Sequence, residues 1–180
     1  MDEGDLAVVH DRAYTRRIMA LAEEGLSQEE MDRLAGEYDS VQLCRGSPTA
    51  ATSAASCARH LAELIAERKI PNAFSLTRPP GHHALHSEAN GFCIFNNSAL
   101  AGHSALDFGA QRVLIVDFDA HHGQGVQRAF YDDKRVLYFS VHRYQRGRFW
   151  PHLEESNFDY IGEGAGKGFN VNVPLNEVGD

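Results

Sequence analysis

The run Val113-Leu114-Ile115-Val116-Asp117-Phe118-Asp119-Ala120-His121-His122-Gly123-Gln124-Gly125 places carboxylates and imidazoles directly behind four aliphatic residues. A carboxylate and an imidazole two residues apart, as in Asp119 and His121, can share one divalent cation. A mixed oxygen and nitrogen donor set suits Zn²⁺, and Fe²⁺ or Co²⁺ would accept the same pair. The alternative is that Asp117 and Asp119 cap a helix opened by Gly123 to Gly125, with His121 merely packed nearby. A second cluster stands upstream in Arg78-Pro79-Pro80-Gly81-His82-His83, where two prolines and a glycine stiffen the turn that carries adjacent imidazoles. Two such clusters at one sheet edge point to a hydrolytic metal site. There a metal polarises a carbonyl and lowers the pKa of a water that a histidine deprotonates.

The elements that must position these groups read as an α/β pattern. The short aliphatic run over 112–118 has β-branched residues and no alternation, which suits a strand covered on both faces of a parallel sheet. If extension persists, Asp117, Asp119 and His121 point to one side, beyond the strand's carboxyl end, where open α/β sheets bind ligands. Upstream, a helical pattern covers 6–24 and Gly25 supplies a stop. Ser27 and Glu30 make a capping box for a second helix closed by Gly36. Residues 38–44 read as loop. Ser47 before Pro48 reads as an N-cap with proline at the first helical position, opening a helix that presents Ala54, Ala58, Leu61, Ala62 and Ile65 and stops before Pro71. Strands are expected over 73–77, 136–141 and 169–173, and helices over 97–108 and 126–131, which is the order of parallel βαβ units. The glycine-rich stretch 162–168 precedes a strand and lacks Ser or Thr after Lys167, so it reads as a flexible loop, not a phosphate cradle.

With 180 residues, 43% of them hydrophobic, the chain suits one well-cored domain or part of one. Its formal charge of −8 and scattered Lys and Arg leave no basic stripe for a phosphate backbone, so direct nucleic-acid binding is not expected. Cys44, Cys57 and Cys93 form no CxxC pair, which fits reduced thiols in cytoplasm or nucleus. No run has the length to cross a bilayer, and none is basic and apolar like a signal peptide.

Four stretches carry a resemblance: RPPGHH at 78–83, NGFCIFNN at 90–97, DFDAHHGQG at 117–125 and LYFSVHRYQRGRFWPH at 137–152. Together they resemble the zinc-dependent histone deacetylases, class II and most closely the class IIb branch. The resemblance implies a three-layer arginase/deacetylase-like α/β fold with a mostly parallel sheet, of which 1–180 would be a truncated part. It implies Asp119 and His121 as zinc ligands, His83 as general base and acid, and His82, hydrogen-bonded to Asp117, as its electrostatic partner. Gln124 would orient His83. An amide stabilises an imidazolium less than a carboxylate does, so His83 should stay neutral and basic near pH 7. Gly91 would accept the substrate amide N–H through its carbonyl, and Phe92 with Trp150 would wall an acyl-lysine tunnel. The resemblance also implies K⁺ near Asp117, Asp119, His121, Ser140 and Val141, and a second K⁺ near Phe130, Asp133, Val136 and Phe169. Substrates would be acetylated lysines of histone, tubulin or other proteins, within larger deacetylase complexes. The alternatives are an acetylpolyamine amidohydrolase and an inactive binding module. The third zinc ligand and the transition-state Tyr or His match no motif here. Asp159, Glu163 and Asp180 are the conceivable substitutes, and a half-sheet should expose an edge and an apolar face.

Overall fold

The computed structural model describes residues 3–22 and 26–177. Three parallel strands, β1 (Val113–Asp117), β2 (Val136–Arg143) and β3 (Asn170–Leu175), form a sheet in that order. Helix α6 (Gln124–Ala129) links β1 to β2 as a βαβ crossover. The other helices are α1 (Glu3–Leu6), α2 (Arg12–Ala20), α3 (Gln28–Ala35), α4 (Ser47–Ala66) and α5 (Asn97–Asp107). One apolar cluster joins them to the sheet, with Leu6, Tyr14, Ile18, Phe95, Leu100, Val126, Val136 and Tyr138 at its centre. Along the buried face of β2 the side chains run Val136, Tyr138, Ser140, His142. That face is therefore apolar at its amino end and polar at its carboxyl end, where the chemistry lies.

Several expectations are met closely. Ser27 and Glu30 form the capping box of α3 and Gly36 is its C-cap, because each side chain satisfies a backbone N–H that the first helical turn leaves unpaired. Residues 41–44 are irregular, α5 ends at Asp107 with Phe108 as its C-cap, and β2 and β3 lie within two residues of their expected ends. The stretch 162–168 holds only a 3₁₀ turn, Gly164–Gly166, before β3.

Other expectations are corrected. The helix expected over 6–24 is only α2, Arg12–Ala20: α1 ends at Leu6, and the Asp11 carboxylate accepts from Ala13 N and Tyr14 N and starts α2 afresh. Its expected stop, Gly25, lies outside the described residues. Gly46, not Ser47, caps α4, since the Ser47 hydroxyl accepts from Cys44 N at 2.9 Å instead. Of the five apolar residues assigned to the inner face of α4, only Ala54 is buried, and Ile65 is 40% exposed. Helix α6 starts two residues early and ends at Ala129. Residues 73–77 have no regular structure and pair with no strand among the described residues, and Phe74 and Leu76 are 87% and 91% exposed. Nor is β1 covered on both faces. Leu114 and Val116 stand 60% and 52% exposed, with Phe118 beyond them at 86%, because no described element packs on that side.

The break after α1 has a structural purpose. His10, 1% exposed, donates from Nδ1 to Leu85 O at 2.8 Å and accepts at Nε2 from Asn96 N at 2.9 Å, joining the amino-terminal helices to the segment that follows the His82-His83 turn and leads into α5. Protonation at Nε2 would set two N–H groups against each other. Burial lowers the His10 pKa to about 4, against the backbone hydrogen bonds that would raise it. The unfolded chain, with an ordinary imidazole near pH 6.5, therefore binds the extra proton first. Stability from this residue is complete above pH 6.5 and is lost as pH falls from there towards 4, by on the order of 3 kcal/mol. Urea midpoints at pH 7.5 and pH 5.0 should show this loss in the natural chain. In His10→Gln the pH slope should be smaller by up to about 1.4 kcal/mol per pH unit; an unchanged slope would remove His10 from the account.

Candidate active site

Extension ends at Asp117, and two tight turns follow. Asp117 Oδ1 accepts from Asp119 N at 3.1 Å, and Asp119 Oδ1 accepts from His121 N at 2.8 Å. Strand alternation therefore stops at Asp117, yet Asp119 and His121 still meet, because the second turn folds the imidazole back until Nδ1 is 3.2 Å from Oδ1. Adjacent donors of a tetrahedral Zn²⁺ with bonds of about 2.0 Å lie roughly 3.3 Å apart, so this pair fits two corners of such a shell. Among the described residues no group of three or more His, Cys, Asp or Glu is placed to hold a metal, so neither Asp159 nor Glu163 joins the pair. Asp180 lies outside the described residues.

Asp117 is the hub of the neighbouring cluster. Its Oδ2 accepts from His82 Nδ1 and from the Tyr138 hydroxyl, both at 2.9 Å. Burial pushes its pKa up, but the hydrogen bond and charge of His82, with Tyr138 and the Asp119 amide, outweigh it and hold the carboxyl below its usual range. Gly123 closes this cluster. A Cβ there would stand 2.5 Å from Asp117 Oδ2 and 2.7 Å from the Tyr138 hydroxyl, while its N–H donates to that hydroxyl at 3.1 Å.

The two neighbouring imidazoles lie with centroids 3.8 Å apart. A carboxylate only accepts, so His82 carries its proton on Nδ1. His83 is settled by a longer relay: Asn90 Nδ2 donates to Glu88, Gln124 Nε2 donates to Asn90 Oδ1, and His83 Nδ1 donates to Gln124 Oε1 at 2.8 Å. Both Nε2 atoms are thereby left as bases. The His83 pKa falls to about 4, mainly by burial and next by the charge of His82. The neutral state matches expectation, but its cause does not: the Gln124 hydrogen bond raises the pKa, and burial overrides it.

Trp150 stands edge-on to His83 at 4.6 Å and to His121 at 5.5 Å, and Phe149 stacks on His121 at 4.9 Å. The indole N–H donates to Asp39 Oδ2 at 2.9 Å, and Asp39 and Ser40 accept through their carbonyls from Gly91 N and Phe92 N. That indole bond and one from Ser40 hold the Asp39 carboxyl low. Gly91 has φ +51°, and a Cβ there would run into the Trp150 ring and His83, so the close approach of backbone to imidazole demands glycine. Phe92 sits farther out on the rim, 70% exposed and, among the described residues, out of ring contact with Trp150.

Behind the site lies a buried polar layer. His122 donates to Gln127 Oε1 and accepts from the Ser156 hydroxyl, while His142 donates to Ser156 O and accepts from the Ser140 hydroxyl, each at 2.8 or 2.9 Å. Gln127 and Asn172 donate to Glu155 O, and Asn170 donates to Tyr160 O. This layer fixes the segment that follows Phe149 and Trp150. Of the residues linked to K⁺, Ser140 is thus engaged with His142. Phe130 O, Asp133 O and Phe169 O accept from Asp133 N, Val136 N and Tyr138 N, and Val141 sits in the ladder opposite Val173.

The structure thus gathers His82, His83, Asp117, Gln124, Asp119, His121, Gly91 and Trp150 at one rim. Sequence reasoning missed Asp39, Asn90, Tyr138 and Phe149. Tyr138 was accessible through its period-two relation to Ser140, and Phe149 through its place beside Trp150. Asp39 lies in a loop with no pattern to mark it.

The carboxyl rim of the parallel sheet thus carries one imidazole pair and one acid–imidazole couple. The whole of residues 1–180 matches the histone deacetylase domain. The chain belongs to that family, on its class II side. It is 48% identical to histone deacetylase 6 of Caenorhabditis elegans over 99% of this chain and 18% of that protein. It is 45% identical to polyamine deacetylase HDAC10 of Rattus norvegicus over 98% of this chain and 30% of that one. The crystal structure of the HDA15 HD domain superposes with a TM-score of 0.86 at 35% identity, covering 99% of this chain and 48% of that one. The fold is therefore of the arginase/deacetylase type, and the chain spans less than a third of these curated relatives.

Replacing Gln124 tests the relay. Gln124→Glu should raise the His83 pKa, because a carboxylate facing Nδ1–H favours the imidazolium. Gln124→Leu should leave a buried N–H unpaired and cost about 1–3 kcal/mol of stability. Imidazole Cε1 shifts followed by NMR across pH, with urea melts, read both; a His83 titration identical in all three proteins would refute the relay.

Proposed function

We propose that this chain carries the acid–base and acyl-lysine-binding part of a deacetylase site that hydrolyses Nε-acetyl-lysine amides. The carrying observation is the pair of imidazoles whose Nδ1 protons are committed to Asp117 and Gln124, leaving Nε2 bases beside the Asp119–His121 couple and under Trp150. In this reading Asp119 and His121 hold Zn²⁺, which supplies a Lewis acid for the amide carbonyl. His83 Nε2 takes a proton from the attacking water and returns it to the departing lysine amine. His82, fixed by Asp117, balances the charge that His83 gains. The Gly91 carbonyl accepts the amide N–H, and Trp150 with Phe92 flanks the methylene chain, excluding water from it. K⁺ near Ser140 and Val141 would brace this rim, and a second K⁺ near Phe130, Asp133, Val136 and Phe169 would sit at the opposite, amino-terminal end of the sheet. Histone, tubulin or other acetylated proteins are the substrates of this reading, in cytoplasm or nucleus and within larger complexes. Among the described residues no helix is long and apolar enough to cross a membrane. A second reading, binding of acetylated peptides or polyamines without turnover, draws on the two-donor metal pair.

Purified protein titrated with Zn²⁺ and assayed on a fluorogenic acetyl-lysine peptide separates the two. Hydrolysis should depend on zinc, and His83→Ala should lower it about 10²- to 10⁴-fold with the fold intact by circular dichroism. Asp119→Ala should weaken zinc binding by calorimetry. Zinc-saturated protein that binds the peptide and releases no acetate would replace hydrolysis with the binding reading.

A further inference from the structure

Three of the six residues from Arg143 to Arg148 are arginines and none is acidic, in a chain of formal charge −8. All three are exposed, and among the described residues none is ion-paired. Arg143 holds its guanidinium carbon 4.4 Å from the centroid of the Phe149 ring, the ring that stacks on His121. Arg148 Nε donates to Gln145 O at 3.2 Å, and Arg146 is anchored through its backbone N–H to Asn176 Oδ1 at 2.8 Å. The loop is rooted at the candidate site. Arg143 N donates to Ala120 O, between Asp119 and His121, and Tyr144 N and Gln145 N donate to Leu175 O. Gln145, Arg146 and Gly147 all have positive φ, +51°, +55° and +79°. Two non-glycine residues in that region persist only where surrounding bonds over-determine the shape, so the arch is a held structure and not a slack turn.

Charge is therefore unevenly placed around the rim. On the Trp150 side stands the Asp39 carboxylate, occupied by the indole and Ser40. On the Phe149 side Arg143 packs over the ring, and Arg146 and Arg148 follow in the same arch, none of the three ion-paired among the described residues, although the charges of Glu154 and Asp159 reach Tyr144 between them. Guanidinium groups take carboxylates in forked hydrogen bonds, and cations packed near aromatic rings at a binding mouth steer charged ligands. We infer that the 143–148 arch makes this site selective for acyl-lysine peptides bearing carboxylates on one side of the lysine. The inference rests on the acetyl-lysine reading above. A polynucleotide is a poorer fit, since three arginines on a net acidic chain neutralise too few phosphates for stable binding.

Trp150 is the chain's one tryptophan, so its fluorescence reports the site directly. With zinc present, the whole chain is titrated with peptides whose central acetyl-lysine is flanked by alanines, by two glutamates before it, or by two glutamates after it, and with the unacetylated forms. One glutamate arrangement, and not the other, should bind about five- to tenfold tighter than the alanine peptide at low salt, with the advantage shrinking in 0.5 M NaCl. Arg146→Ala with Arg148→Ala should abolish the preference, and Arg146→Glu with Arg148→Glu should reverse it. Equal binding of the three acetylated peptides, or a preference that survives charge reversal or high salt, overturns the inference and leaves acetyl-lysine recognition standing. Binding that ignores the acetyl group overturns both. If a charge-reversed chain fails to fold, the salt dependence of the natural chain still decides.

Discussion

A carboxylate shielded from water at the end of a strand must find donors, and the site is built around how Asp117 finds them. Leaving such a charge uncompensated costs several kcal/mol, whereas each hydrogen bond to a charged group contributes about 1.5–3 kcal/mol. Its donors come from different parts of the chain: His82 from the proline-stiffened loop, Tyr138 from the neighbouring strand, and the Asp119 amide from the turn beyond β1. Each donor brings an element with it. The His82 bond brings His83 into reach of Gln124, the Asp119 bond begins the bends that fold His121 back, and Tyr138 leaves room only for a glycine at 123. Convergence of the two histidine clusters is thus a consequence of satisfying one acid.

The same logic operates one layer deeper, with amides in place of a charge. Gln127 Oε1 receives His122, Asn170 and Asn172, while Gln127 Nε2 and Asn172 hold Glu155 O. The segment carrying Phe149 and Trp150 is therefore fastened downstream by hydrogen bonds to its backbone, and upstream by the ladder between β2 and β3. Apolar packing contributes little there, as Phe158 and Ile161 remain 67% and 41% exposed. A wall held by directed bonds keeps a fixed distance from His83 and His121, which hydrophobic contact alone would not enforce. On the other flank Asp39 closes the ring, holding the Trp150 indole across 111 residues of sequence through its carboxylate and the Gly91 turn through its carbonyl.

What the sequence made legible was local. The Ser27 capping box and the aliphatic run of β1 each depend on neighbours within a few residues and were read correctly in type, and the two histidine clusters expected at one sheet edge do lie together there. Failures came where tertiary context decides. Asp11 reads as one more polar residue in a helical pattern until its cap is seen, and the commitment of His10 to Leu85 and Asn96 has no local trace. The strand over 73–77 has the right residue types, but a strand needs a partner, and none is present among the described residues. Continuous aliphatic character in β1 suggested cover on both faces, yet composition records what a surface can bury and not what buries it. Asp39 and Asn90 were illegible for a related reason: their value lies wholly in which distant group they hold.

The bare face of β1 raises the question of why the rim stays ordered beside it. Alternation supplies the answer. Val113, Ile115 and Asp117 point towards the helices and are partly buried, while Leu114, Val116 and Phe118 point away. Every bond that assembles the rim lies on the first side or in the backbone turns past Asp117, so none depends on what covers the second. Uncovered apolar surface of this kind costs free energy roughly in proportion to its area and lowers global stability. It does not tilt the geometry of Asp117, His82 or His83, because the pleat separates the two faces and the hydrogen bonds are directional where hydrophobic contact is not. Burial of the far face would therefore raise the stability of the whole chain while leaving the imidazole relay as it stands.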